Sequence, residues 1–117
     1  MKENIALIQE VHHKKPRLKA EKEAIDMLRK IHLGDIADKR SNQCTNLEKF
    51  YVMLIRALMC DKECIMIKTP FILVDTLLDI EKIISNIEIL NKDKGIIILD
   101  TINNQNNYKG CQCNIIK

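Results

Sequence analysis

The stretch CIMIKTPFILVDTLLDIEKIISNIEILNKDKGIIIL, residues 64–99, decides the fold class. It begins and ends with continuous apolar runs, residues 64–67 and 96–99, which are typical of strands buried on both faces. Between them, apolar residues recur at helical spacing over about residues 74–90, and the NKDKG segment that follows is typical of a turn. A strand, a long helix and a second strand predict a β-α-β unit whose two strands are parallel and neighbouring.

The residues before this unit predict a group of helices. Residues 4–11 fit a short helix or a strand, and residues 17–32 show a helical pattern that includes Leu18 and stops at Gly34. The clearest helix follows Thr45, and Glu48 stands three residues later, which is a capping box. Its apolar residues recur at helical spacing: Leu47, Phe50, Tyr51, Leu54, Ile55 and Leu58.

These elements predict an α/β fold in three parts. A helical subdomain occupies residues 1–60, a β-α-β core residues 61–103, and a flexible, Asn-rich polar tail residues 104–117. Before the tail, the basic run at residues 14–19 is interpreted as a solvated connection between helices. Contact with anionic lipid headgroups or RNA is the alternative for this run.

Composition narrows the function classes. The chain has 117 residues, 46% of them hydrophobic and 30% charged, which is ordinary for one soluble globular domain. Its net charge of +3 is too small to predict a nucleic-acid partner. No apolar run approaches the roughly 20 residues of a membrane span. We therefore expect a cytoplasmic protein.

Five cysteines raise the alternative of a Cys/His metal or redox module. Cys60 and Cys64 are separated by three residues, and Cys111 and Cys113 by one, so the spacing differs from paired C-x2-C zinc ligands. An odd number of cysteines without a secretion signal favours reduced thiols. Cys60 and Cys64 are therefore predicted to be small buried apolar residues.

Two stretches occur in an order that a known family shares. SNQCTNLEKFYVMLIRAL, residues 41–58, is similar to a loop of the form S-x-Q-L-S-G-G-Q followed by a helix that ends in A-R-A-L. ECIMIKTPFILVD, residues 63–75, is similar to an apolar strand followed by D-E-P and, beyond the proline, L-D. The matching residues are Gln43, Arg56, Ala57, Leu58, Pro70 and Asp75.

In this order the stretches resemble the C-terminal half of the ATP-binding domain of ABC transporters, with its signature helix, Walker B strand and D-loop. Residues 3–13 and 24–40 resemble the helical subdomain before the signature, so the resemblance covers residues 3–103. Phe71 after Pro70, together with the wording of residues 3–13, resembles the sequences of bacterial lipid-export or lipid-trafficking members of the family. The resemblance implies a partial P-loop-NTPase-like fold. In the family, such domains use ATP and Mg²⁺ to drive transport through permease partners.

The signature of that family is degenerate here at residues 45–48. Its two glycines correspond to Asn46 and Leu47, and Glu48 adds a negative charge where a phosphate would lie. The predicted capping box of Thr45 and Glu48 satisfies a helix N-terminus that would otherwise bind an anion. The 117 residues also contain no G-x-x-x-x-G-K-[ST] phosphate loop, which is the Walker A motif of the family.

The Walker B stretch lacks both of its acids. Lys68 replaces the Asp that supports Mg²⁺, and Thr69 replaces the Glu that orients the attacking water. The switch histidine falls near Asn103. Asp75 keeps the D-loop position, but it is equally explained as an acid at a helix N-terminus. Lys68 is better explained as a solvated lysine at a strand end than as an anion ligand or a partner of Asp75 or Asp100.

The resemblance therefore predicts a degenerate, non-catalytic ABC-type ATP-binding subunit or fragment, with a structural or regulatory role in membrane transport. We expect no enzymatic activity, no bound cofactor or metal, and no nucleic-acid partner. The expected partner is a membrane permease subunit or another ABC ATPase subunit, which would hold the chain at the inner face of the membrane. The alternatives are a stand-alone interaction domain that pairs with itself or another protein, and the metal or redox module.

Overall fold

A computed structural model describes residues 1–68 and 80–100 of the chain. The elements in chain order are α1 (Lys2–His12), α2 (Arg17–Lys30), α3 (Asn46–Leu58), β1 (Cys64–Lys68), α4 (Ile80–Leu90) and β2 (Gly95–Leu99). Two short 3-10 helices, Gly34–Ile36 and Ser41–Gln43, connect α2 with α3. The described part thus combines helices with a small sheet, which is compatible with the predicted α/β class.

β1 and β2 form a two-stranded parallel sheet in which Cys64 pairs with Gly95 and Lys68 pairs with Leu99. The prediction of two parallel, neighbouring strands is confirmed. The connection between them includes α4, as a parallel pair requires. The predicted start of that helix near residue 74 lies outside the described residues.

The end of α2 differs from the prediction. His32 takes the left-handed conformation with φ 62°, a position that His tolerates better than most residues. Its N–H donates to Arg29 O at 3.1 Å, and Leu33 N–H donates to Leu28 O at 2.8 Å. These two bonds form a Schellman motif and satisfy the last carbonyls of the helix. Gly34 therefore does not end α2; it begins the next 3-10 helix.

The core lies around α3, and α1 and α2 pack together on it. Small residues, Ala6, Ala20 and Ala24, are completely buried and let the backbones of α1 and α2 approach closely. On α3 the buried residues lie within two turns on either side of the exposed Met53: Phe50, Tyr51, Val52, Leu54 and Ile55. The predicted apolar face of this helix is confirmed.

α4 joins the sheet to the helices. Three of its residues, Ile83, Ile87 and Leu90, belong to the same buried cluster as the residues of α1, α2 and α3. The Asn86 side-chain amide also donates to Tyr51 Oη at 2.9 Å, which gives the buried phenol a hydrogen-bond partner. One core therefore extends across residue 60, where the sequence predicts the boundary between a helical and a β-α-β part.

The two faces of the sheet have different surroundings. On the inner face, Ile65 is buried. Ile67, Ile96 and Ile98 on the same face are partly buried and pack against the core. On the outer face, Met66 is 62% exposed and its register partner Ile97 is 44% exposed. The prediction of strands buried on both faces is wrong, because the described helices cover only the inner face.

Leu18 also departs from its predicted place on the apolar face of α2. Its side chain is 82% exposed, the largest exposure of any large hydrophobic residue that the structure describes. The buried face of α2 consists instead of Ala20, Ala24 and Leu28, at the spacing of successive turns. Within residues 1–68 and 80–100, no helix has the length and apolar character to cross a membrane.

Candidate functional site

The predicted capping box at the N-terminus of α3 is confirmed. Glu48 N–H donates to Thr45 Oγ1 at 3.1 Å, and Thr45 N–H donates to Glu48 Oε1 at 2.8 Å. Both bonds are exposed. The carboxylate of Glu48 therefore lies beside the helix N-terminus, where it adds negative charge to the first turn.

Leu47, which the sequence resemblance places at a glycine of the family signature, has a packing role. Its side chain is partly buried and contacts the core cluster. The preceding Gln43 is held locally, because its Oε1 accepts a hydrogen bond from Arg40 N–H at 2.9 Å. Together with the capping box, these contacts fix the loop before α3 and stabilise the N-terminus of the helix.

Lys68 lies at the C-terminal end of β1, in register with Leu99. Its side chain is exposed. In open α/β sheets, ligands bind beyond the carboxyl ends of strands, so Lys68 occupies the edge where a site would be expected. The other predicted positions at this edge, Thr69, Asp75 and Asn103, lie outside the described residues. Their proposed roles stay predictions.

The described cysteines are free thiols that differ in their surroundings. Cys60 is half-buried, and its thiol donates to Arg56 O at 3.4 Å. Cys64 is exposed on the outer face of the sheet, so the prediction that it is buried is wrong. Across the described ranges, no three His, Cys, Asp or Glu side chains are grouped so that they could hold a metal ion. Cys111 and Cys113 lie outside those ranges.

A cleft of about 500 Å³ lies where the α1–α2 connection, the end of α3 and the α4–β2 turn meet. Its walls contain four lysines (Lys15, Lys30, Lys92 and Lys94) and four acids (Glu23, Asp26, Asp61 and Asp93). The formal charges of these lysines and acids therefore sum to zero.

Several polar contacts in this cleft join separate elements. Lys15 Nζ lies 2.9 Å from Glu23 Oε1, and His13 Nε2 lies 3.2 Å from Asp61 Oδ1. The ammonium of Lys94 donates to the carbonyls of Cys60 and Lys62. The Lys15–Glu23 pair ties the α1–α2 connection to α2. The contacts of His13 and Lys94 hold that connection and the α4–β2 turn against the segment between α3 and β1.

The sequence predicted none of these contacts between elements, and it indicated only the turn that ends α4. Asn91 makes that turn, because its side chain donates to Lys94 O at 2.6 Å and accepts from Lys94 N–H at 3.0 Å. The side chain of Asn91 thus closes the turn that the NKDKG segment predicts. The partners of His13 and Lys94 are 32 to 48 residues distant in sequence, so no local pattern indicates them.

No family model matches the chain, and neither a curated protein nor a solved structure was found that is similar to it. The resemblance to ABC-type domains therefore stays a prediction from the sequence.

Proposed function

We propose that the chain is a degenerate, non-catalytic ABC-type ATP-binding subunit or fragment with a structural or regulatory role in membrane transport. The observation that supports this best is the order of the elements. A capped helix, α3, precedes two parallel, paired strands whose connection includes α4. The signature helix, the Walker B strand, the next helix and the next strand follow one another in this order in the family that the sequence resembles.

Charge at two positions supports a non-catalytic role. The Glu48 carboxylate accepts a bond from the backbone at the N-terminus of α3, so a phosphate there would meet a like charge. Lys68 puts a cation at the tip of β1, where the family holds Mg²⁺ with an aspartate. Phosphoryl transfer depends on charge neutralisation and positioning, and both residues oppose it.

The proposed partner is a membrane permease subunit or another ABC ATPase subunit. In the family, the helical subdomain receives a segment of the permease, and the packed group of α1, α2 and α3 is the part that we propose to dock in the same way. The chain would then be a cytoplasmic protein held at the inner face of the membrane. It would need neither a cofactor nor nucleic acid for this role.

A second candidate function is a stand-alone interaction domain that pairs with a copy of itself. The exposed pair Met66 and Ile97 on the outer sheet face favours it. The described sheet has only two strands, so each has one edge that no described strand covers, and an isolated two-stranded sheet is marginally stable. Two copies related by a twofold axis would bring the same apolar residues together.

Site-specific photo-cross-linking in cells separates these candidates. A photoreactive residue replaces Met53, exposed on α3, or Met66, exposed on the sheet, and a third variant at Ile89 on α4 measures background. We expect a product with a permease or an ABC ATPase subunit from position 53 above the background from position 89. A product between two copies from position 66 alone would favour the second candidate. Background labelling at both positions would contradict both.

A further inference from the structure

The positive charge of the chain is concentrated near its beginning. Residues 1–30 contain eight Lys and Arg against five Asp and Glu, which equals the net charge of +3 of the whole chain. Within them, the segment VHHKKPRLK, residues 11–19, contains four Lys or Arg, two His and no acid. We call residues 11–19 the hairpin tip, because they include the end of α1, the start of α2 and the connection between them.

The helices hold the hairpin tip on a rigid base. α1 and α2 pack against each other through completely buried alanines, including Ala6 and Ala20. Lys14 takes a positive φ of 52° in the connection, and Lys15 N–H donates back to Gln9 O at 3.2 Å. The tip is therefore a defined turn at one end of a helical hairpin.

Two apolar side chains of the tip lie in water. Val11, in the last turn of α1, is 62% exposed, and Leu18, in the first turn of α2, is 82% exposed. They stand on either side of the basic connection. Leu7, one turn before Val11 on the same side of α1, is 48% exposed and extends the apolar surface away from the tip.

The cations of the tip divide into paired and unpaired groups. Lys15 pairs with Glu23, and Arg17 pairs with Glu21, whose hydrogen bond raises the pKa of Arg17. Lys14 and Lys19 are exposed and form no ion pair with any residue that the structure describes. Two ammonium groups are therefore available to an outside anion beside the exposed Val11 and Leu18.

We propose that the hairpin tip docks directly on an anionic lipid surface. Val11 and Leu18 enter the boundary between headgroups and acyl chains, and Lys14 and Lys19 contact the anionic headgroups. Charge complementarity selects the surface, and the exposed apolar side chains supply a contact that a solvated lysine loop lacks. This inference does not depend on the proposed transporter partner, because the lipid itself is the ligand.

RNA fits the tip less well than lipid does. Proteins that bind single-stranded RNA stack its bases on aromatic side chains, and residues 1–49 contain no Phe, Tyr or Trp. An RNA backbone would neutralise Lys14 and Lys19 but would leave Leu18 in water. A membrane interface satisfies both features of the tip.

Co-sedimentation of the purified 117-residue chain with vesicles tests the proposal. The vesicles contain phosphatidylcholine alone or phosphatidylcholine with phosphatidylglycerol, and no partner protein is present. We expect binding to the phosphatidylglycerol vesicles only, weakening as salt is added, because exposed charges are screened. Absence of binding to these vesicles at low salt would overturn the proposal, whatever the outcome for the transporter partner.

Matched variants separate insertion from simple charge attraction. Leu18→Ser should weaken vesicle binding at least about tenfold, because several buried CH₂ and CH₃ groups are lost. Met53→Ser, an exposed apolar change on α3, should leave binding unchanged. Replacing Lys14 and Lys19 by Gln should weaken binding about 25-fold, since each cation near an anionic surface contributes about fivefold. Circular dichroism confirms that every variant retains the helical content of the parent chain.

Two outcomes would contradict the assignment. If Leu18→Ser and Met53→Ser bind vesicles as tightly as the parent chain, the apolar side chains do not enter the membrane. If single-stranded RNA binds the chain more tightly than the phosphatidylglycerol vesicles do, the basic tip recognises nucleic acid and the lipid proposal fails.

Discussion

α3 and the β1–β2 sheet are both rich in apolar residues, but only α3 buries nearly all of them. On α3, Leu54 and Ile55 are buried, whereas the preceding Met53 is 55% exposed. In the sheet, Ile65 is buried whereas Met66, the next residue, is 62% exposed. Other elements of the chain cover the apolar face of α3. The described helices cover only the inner face of the sheet, and its outer face stays apolar and exposed.

This difference shows where the fold is complete and where it has a surface to offer. An amphipathic helix encodes its buried side in the spacing of its residues. A strand with apolar residues at every position encodes two buried sides, and the second is realised only if something packs on it. The exposed outer face of the sheet is the structural basis of the second candidate function, in which two copies pair.

The largest expected effect is on α3. Ile55→Ala removes a completely buried side chain from the central helix and should lower the free energy of unfolding by about 2–5 kcal/mol. Met53→Ala on the same helix should change it by no more than about 0.5 kcal/mol. Urea denaturation followed by circular dichroism measures both variants, and similar losses for the two would show that α3 is not the centre of the core.

The sheet allows the same comparison between adjacent residues. Ile65→Ala on the inner face should cost about 2 kcal/mol of unfolding free energy, at the low end for a buried Ile because the other face of β1 is open. Met66→Ala on the outer face should change it by about 0.5 kcal/mol or less. Urea denaturation at low protein concentration keeps any self-association out of the result. If Met66→Ala costs as much as Ile65→Ala, both faces are packed.

The sequence predicted the features that depend on local chemistry and missed those that depend on distant contacts. The apolar face of α3 and the Thr45–Glu48 cap follow from spacing within four residues, and both are confirmed. The parallel pairing follows from the order of strand, helix and strand. The exposure of Cys64 on the outer sheet face depends on how many layers pack together, which local pattern does not reveal.

The same distinction applies to the helix end and to the candidate site. Gly34 was the expected stop because Gly favours the left-handed conformation, but His32 adopts it two residues earlier. Leu18 matched the helical spacing loosely and lies on the side opposite the buried alanines. The cleft contacts of His13 and Lys94 join residues far apart in sequence, so only the fold brings them together.

A smaller effect is expected at the cap of α3. Thr45→Ala removes the hydroxyl that accepts from Glu48 N–H, and it should lower the free energy of unfolding by about 1 kcal/mol. Thr45→Ser retains the hydroxyl and should lose only a few tenths of a kcal/mol. Denaturant midpoints of the two variants provide the measurement. Equal losses would mean that the hydroxyl is not the stabilising group of Thr45.

The smallest effect is expected at the surface of the helical group. Asp38 lies 3.0 Å from Lys2 Nζ and raises the lysine pKa above its ordinary 10.5, mainly through their hydrogen bond. The charged pair therefore stabilises the fold at neutral pH, and this contribution is lost as the pH rises through the raised pKa. Thermal unfolding of the parent chain and Asp38→Asn should differ at neutral pH, and the difference should disappear at a pH above the raised pKa of Lys2. A difference that grows above pH 10.5 would contradict this sign.

The central claim is that the chain keeps the order of elements of an ABC-type domain without its chemistry. Calorimetric titration of the purified chain with Mg-ATP, with phosphate release measured on the same sample, tests it most directly. The proposal predicts no saturable heat and no phosphate release above the buffer background, because Glu48 and Lys68 oppose phosphate and metal. Saturable binding of Mg-ATP with continuous phosphate release would contradict it, if substitution of Glu48 or Lys68 abolishes both signals.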